Sequence, residues 1–245
     1  MITFNYFQAF VIGACIGSFL NVIVYRFPHN LSIVKLRSFC PKCKKSLTWK
    51  ENIPLISWLI QRGKCINCYS SISYQYPLVE LATGILFVFF INSSPSIYSS
   101  YSNLFLNIIF SWIFLSLLIC ISLIDIKKFW IPQGLINFGF ISGLLGLISI
   151  EIVNSQFIDF YLIFKSLVAS VTSFLIFESL RYFAKYIFKK DALGKGDSKI
   201  VAMLALWLGP MGTLFAVGLS YIFAAIYCLV GLSFNFIKFR QIIPF

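Results

Sequence analysis

The sequence predicts an all-α polytopic membrane protein of about seven transmembrane helices, with one small loop domain on the cytoplasmic side. Three observations predict it. Of 245 residues, 59% are hydrophobic and only 11% charged, and the mean hydropathy is +0.88. Soluble domains carry about twice that share of charge, so a soluble core would have to bury nearly the whole chain. The apolar residues also gather into stretches near the roughly 20 residues that a helix needs to cross about 30 Å of hydrocarbon. Finally, the basic residues alternate between the segments that join those stretches.

Seven apolar segments stand at about 4–25, 77–92, 104–124, 131–150, 160–180, 199–217 and 218–237. The first lacks a basic region before it and a small-residue cleavage site after it, so it reads as a retained span. Loop 26–76 holds Arg26, Lys35, Arg37, Lys42, Lys44, Lys45, Lys50, Arg62 and Lys64, whereas 93–103 holds no charge. Lys127 and Lys128, then the basic run 181–199, and last Lys238 and Arg240 fall on the same side as loop 26–76. With the N-terminus outside, nineteen of the twenty basic residues are cytoplasmic, and only Lys165 lies in a span. The net charge of +12 is therefore a signal of topology, with the lipid bilayer as the partner and no nucleic acid. The weakest boundary lies within Ile200–Ile237, where a turn near Gly209-Pro210 or slightly after it divides two spans.

The first cytoplasmic loop contains Cys40-Pro-Lys-Cys43 and Cys65-Ile-Asn-Cys68. Two such pairs can present four thiolates to one tetrahedral ion, which predicts a structural zinc ribbon on Cys40, Cys43, Cys65 and Cys68. The neighbouring lysines and Arg62 offset the negative charge of that site, and a reducing cytosol disfavours the alternative of two disulfides. Cys15, Cys120 and Cys228 sit singly on apolar segments and carry no predicted function. The only histidine is His29, which leaves no His-based zinc protease and no Ser-His-Asp hydrolase that does not use it.

Eight carboxylates remain to be weighed. Asp125 ends the third apolar segment, and Asp197 begins the sixth within Gly194-Lys195-Gly196-Asp197-Ser198-Lys199. The charge pattern puts both at the cytoplasmic face. There each could simply be an interfacial aspartate paired with Lys127 or Lys199. Gly194 and Gly196 favour a working site, because glycine opens backbone conformations and allows another strand to come close. Two carboxylates in a partly dry site share one proton, so one can activate water while the other protonates a carbonyl oxygen. Glu178 can pair with Arg181 or Lys185 along one helix face. Ser18 and Asn21 share a face of the first span, fitted to helix packing or to a substrate groove.

Several motifs in order resemble one family. Gly17-Ser18-Phe19-Leu20-Asn21-Val22-Ile23-Val24-Tyr25-Arg26 is similar to its N-terminal signature. The two cysteine pairs follow, then Tyr76-Pro77-Leu78-Val79-Glu80-Leu81. Asp125 stands six residues before Ile131-Pro132, and Gly194-Lys195-Gly196-Asp197 with Lys199 completes the pattern. The chain thus resembles the type IV prepilin leader peptidases, membrane aspartyl peptidases of the GxGD type that are often bifunctional prepilin peptidase/N-methyltransferases.

The resemblance implies removal of a short basic leader from prepilins or pseudopilins at the cytoplasmic face of the bacterial inner membrane. Asp125 and Asp197 would be catalytic, with Gly194, Gly196 and Lys199 in support. It also implies N-methylation of the new terminus with S-adenosylmethionine, in a region that would include Ser18, Asn21, Arg26 and Glu80. The expected division is a first helix over 1–25, a zinc domain over 26–76 and a peptidase domain over 77–245. Some positions depart from the family: Gln133 stands for Asp or Asn, Gln75 for Arg, and the stretch after Pro28 lacks a common acidic residue. The family's usual eighth span is absent from the sequence. The alternative to the peptidase is therefore a truncated or impaired paralogue that acts as an assembly or binding protein with a zinc-ribbon loop. A transporter is disfavoured by the surface position of both aspartates.

Overall fold

The computed structural model describes residues 5–35, 37–92, 104–154, 160–189 and 194–234. They form α1 (Tyr6–Arg26), the short α2 (Ile56–Ile60), α3 (Gln75–Asn92), α4 (Leu104–Lys128), α5 (Gln133–Asn154), α6 (Phe160–Phe188) and α7 (Asp197–Ser233). Among the described residues there is no strand longer than an isolated bridge. Five of the helices are long and apolar enough to cross a membrane, and α3 is a shorter apolar helix.

The chain divides into two compact units, residues 1–94 with 111–124, and residues 95–110 with 125–245. In the first, α1 packs along α3 through small residues. A Cβ on Gly13 would lie 2.7 Å from the Thr83 carbonyl oxygen, and one on Gly17 would lie 2.8 Å from the Cα of Glu80. Small residues four apart let two membrane helices approach backbone to backbone, where dispersion replaces the hydrophobic drive that lipid removes. Trp112 of α4 stacks on Phe87 at 4.6 Å and donates its indole N–H to the Phe87 carbonyl.

In the second unit, Trp207 is 2% exposed and donates its indole N–H to the Gly139 carbonyl of α5 at 2.9 Å. Ser170 of α6 donates to the Ala202 carbonyl at 2.8 Å, which joins α6 to the start of α7. The outward side chains of α6 and of late α7, such as Phe164, Phe183, Phe215 and Phe223, are more than 60% exposed and suit lipid.

The turn expected near Gly209-Pro210 is present, earlier than the segment limit at 217. Gly209 stands at φ 69° and ψ 178°, a conformation that is essentially glycine's alone, and Pro210 opens the next helical turn. In one straight helix Ile200 and Tyr221 would be about 32 Å apart. Instead, both line a single cavity of about 150 Å³ with Leu204 and Ala216. The chain therefore reverses at Gly209, and α7 is a helical hairpin with arms 197–208 and 210–233. The first arm is only about 18 Å long, short of the hydrocarbon thickness. Equal division of the apolar run put the segment limit near 217, whereas Gly209-Pro210 marks the turn itself. Lys238 and Arg240 lie outside the described residues.

Candidate active site

Asp125 belongs to the last turns of α4, and its carbonyl accepts the Phe129 N–H at 2.8 Å. Phe129 takes a left-handed conformation (φ 49°) that ends the helix and turns the chain toward Ile131 and the buried Pro132. Both aspartates lie in the second compact unit. Asp197 is the first residue of α7, and its Oδ2 accepts the Gly194 N–H at 3.0 Å. That bond closes the loop 194–197 over the start of the helix, and Gly194 supplies the donor.

Gly196 departs from the expectation of special backbone freedom. Its φ of −77° and ψ of −34° suit any residue. What requires glycine is space, since a Cβ here would lie 2.5 Å from Ile131 Cδ1 and 3.0 Å from Ile131 Cβ. One residue before Asp197, the backbone thus rests on the side chain six residues after Asp125. Lys199 adds a second link between the same segments by donating its ammonium to the Gln133 Oε1. The departure from the family at Gln133 therefore supplies a neutral acceptor to Lys199. Gly196→Ala is expected to destabilise this contact by about 1–3 kcal/mol through overpacking. Ile131→Ala in the same chain should recover part of that loss, and thermal melts of both single variants and the double variant measure it.

Glu178 is a site residue whose role the sequence shows only in part. Its pairing with Arg181, one helical turn along α6, follows from spacing, and the structure contains that ion pair. The same carboxylate also accepts the Ser198 hydroxyl at 2.9 Å. Glu178 thus ties α6 to the residue next to Asp197. Ser198→Ala should cost about 1 kcal/mol, and Glu178→Ala more, because it also strips Arg181 of this carboxylate. The two losses should be less than additive in the double variant when melts are compared.

The four cysteines meet in the first unit. Their sulfur atoms all lie within 4.8 Å of one another, and Cys40 and Cys68 are 3.9 Å apart. Zinc–sulfur bonds of about 2.3 Å in a tetrahedron need sulfurs about 3.8 Å apart, so the donor set fits a zinc ion. Each pair forms the same knuckle. The Cys40 N–H donates to the Lys45 carbonyl and the Lys44 N–H to the Cys40 carbonyl, just as Cys65 pairs with Ser70 and Tyr69 with Cys65. Lys44 (φ 60°) and Tyr69 (φ 54°) make the equivalent left-handed turns, and the bridges Phe39–Ser46 and Lys64–Ser71 close them. Hydrogen bonds from the Ser70 hydroxyl and backbone hold the Cys68 thiol down to about 6, which favours the thiolate that a metal needs.

The residues expected near a methyl-transfer site make hydrogen bonds within the first unit. Arg26 is 3% exposed and donates to the carbonyls of Ser32, Ile33 and Arg37, so it gathers the start of the loop. Asn21 donates to the Tyr76 carbonyl at 3.2 Å, linking α1 to α3. Glu80 accepts the Leu55 N–H at 2.7 Å and the Ser18 hydroxyl, which anchors the loop against α3. Leu55 itself sits at φ 62°.

Two families match the chain: the bacterial peptidase A24 N-terminal domain over residues 11–93 and the type IV leader peptidase family over residues 112–229. The prepilin leader peptidase/N-methyltransferase of Myxococcus xanthus is 36% identical over 199 residues, covering 81% of this chain and 55% of that protein. The type 4 prepilin-like proteins leader peptide-processing enzyme of Escherichia coli O78:H11 is 34% identical over 220 residues, covering 81% and 75%. The prepilin leader peptidase/N-methyltransferase of Klebsiella pneumoniae is 32% identical over 207 residues, covering 82% and 83%. This chain thus spans a little over half of the first relative and three quarters or more of the other two. No solved structure matches it. The relatives and the apolar helices make it a bacterial inner-membrane protein, and they favour prepilin processing over a non-catalytic binding role. Matched from Val11 to Leu229 by both families in their order, this chain belongs to the type IV leader peptidase family.

Proposed function

We propose that the chain is an aspartic endopeptidase that removes the basic leader of prepilins or pseudopilins, with Asp125 and Asp197 as the reacting pair. Its main support is the contact of Gly196 with Ile131, which joins the segments that carry the two aspartates within one compact unit. In the reaction, one carboxylate takes a proton from water as the water oxygen bonds to the scissile carbonyl carbon. The other carboxyl, protonated beforehand, gives its proton to the carbonyl oxygen. The tetrahedral adduct then collapses and the C–N bond breaks. The amine leaves with the proton that the first carboxyl took from water, and the second carboxylate recovers the hydroxyl proton.

The proposal includes a cytoplasmic placement for both aspartates and for the zinc loop, with the N-terminus outside, as the charge pattern requires. Zinc held by Cys40, Cys43, Cys65 and Cys68 would supply folding energy to the loop and take no part in cleavage. Methyl transfer is the second activity in the relatives' names. The cleavage half is the part that this chain's geometry supports. Co-expression with a prepilin tests it: leader removal by the wild type, read as a gel shift, should disappear in each aspartate variant.

A further inference from the structure

The loop that carries the cysteine cluster folds back along the apolar helices of its own unit. Glu80 lies about 7 Å along α3 from Gln75, and its carboxylate accepts the Leu55 N–H at 2.7 Å. The short α2 therefore begins beside the first turns of α3, where Leu78 and Leu81 are exposed. Ile56, Leu59 and Ile60 occupy the i, i+3 and i+4 positions of α2, hence one face, and they are 53%, 66% and 76% exposed. Trp58 takes the opposite face. Its ring packs on Tyr74 at 5.1 Å and leaves no room for a Cβ on Gly63, and its indole N–H donates to the Ile72 carbonyl. Trp58 thus fixes the roll of α2, so the apolar stripe turns away from the loop.

Cations rim that stripe. Lys50 precedes it, Arg62 and Lys64 follow it, and all three are exposed. The Lys50 ammonium sits 5.5 Å from the centre of the Trp49 ring, and the turn Lys50–Asn52 packs beside α2. The only carboxylate between residues 26 and 76 is Glu51, which is turned back onto the Thr48 N–H and hydroxyl. An apolar stripe bordered by cations and an amphipathic aromatic ring is the pattern of a surface that lies in a bilayer interface. We propose that α2 is an interfacial anchor for the loop. Ile56, Leu59 and Ile60 enter the acyl region of the leaflet where α1 ends and α3 begins, and Lys50, Arg62 and Lys64 bind the phosphates of anionic phospholipids. Charge decides against other occupants. A second copy of the loop would bring the same basic rim, and a substrate with a basic leader would also set like charges face to face. Phospholipid phosphates supply the complement.

The test uses the full chain in nanodiscs of phosphatidylcholine and phosphatidylglycerol, with a trace of phospholipid that bears a diazirine on its acyl chain. After illumination and pepsin digestion, mass spectrometry locates the adducts. Wild type should carry them on Ile56, Leu59 and Ile60 as well as on the outward residues of α1 and α3. Leu59→Glu combined with Ile60→Glu should lower the α2 adduct about tenfold or more. Both positions are exposed, so the pair should keep its metal by elemental analysis, and if it does not, Ile60→Glu alone carries the comparison. Lys50→Gln, Arg62→Gln and Lys64→Gln together should lower the adduct about fivefold in this lipid, as should nanodiscs of phosphatidylcholine alone for the wild type. An α2 without adduct while α1 and α3 are labelled overturns the anchor. If the glutamate pair then weakens prepilin binding or dissociates a dimer, the stripe belongs to the substrate or to a second copy. An adduct that the glutamate pair leaves unchanged also overturns it. Asp197→Ala should label as the wild type does, so the anchor and the peptidase assignment fail separately.

Discussion

Asp125→Ala and Asp197→Ala are each expected to reduce leader removal by at least about 10³-fold, with both variants still inserted in the membrane. General acid and general base catalysis are each worth about 10²–10⁴-fold, and a carboxylate pair that shares one proton loses both roles when either member is removed. The double variant should therefore be no slower than the single ones, as expected for groups that act as a unit. Asp→Asn should fail in the same way, because an amide cannot take the proton from water. Stability should fall little, since neither substitution opens a large apolar cavity and Asp197 gives up one hydrogen bond, from Gly194. A gel shift on a co-expressed prepilin, with thermal melts of the purified variants, separates the two effects. If either alanine variant cuts at the wild-type rate, that aspartate is structural and the pair does not carry the reaction.

The parts of the site that were legible in the sequence are those written as local patterns. The apolar segments, the cysteine pairs, and the glycines before Asp197 all follow from spacing over a few residues. The Glu178–Arg181 pair was legible for the same reason, being one helical turn long. What was not legible depends on residues distant in the chain. Nothing near Ser198 announces that its hydroxyl reaches Glu178, twenty residues earlier. Gly196 read as a site of backbone freedom, whereas its requirement is set by Ile131, sixty-five positions away. The turn near Gly209-Pro210 was legible from its residues, whereas equal segment lengths put the division near 217. The two cysteine knuckles repeat beyond their cysteines, from Ser38–Leu47 to Gly63–Ile72, through matching backbone hydrogen bonds. Few side chains are shared between those stretches, so backbone geometry carries a likeness that residue identity hides. The left-handed turns at Lys44 and Tyr69 contribute to this, since neither residue is the glycine that such turns favour.

Those knuckles lead to the second large effect, loss of the loop's fold when its metal is removed. Among its described residues, the stretch between α1 and α3 has no strand beyond isolated bridges and exposes Val34, Trp49, Leu59 and Ile60 at 66% or more, so its own core is small. Domains this small need a staple, and a structural zinc supplies about 10–16 kcal/mol of apparent binding energy to peptides of this kind. The purified protein should therefore carry one zinc per chain by elemental analysis. Cys40→Ser or Cys65→Ser, or a strong chelator, should remove it and loosen the backbone around the already exposed Lys42, Lys44, Lys45, Arg62 and Lys64, so that trypsin cuts there. Once the metal is removed, the buried Cys40 and Cys65 should become open to alkylation along with Cys43 and Cys68. Leader removal should fall far less than in either aspartate variant, because the loop and the aspartates belong to different compact units. A metal-free chain that resists trypsin, or a mass showing two disulfides among the four cysteines, would mean that something other than zinc holds the loop together.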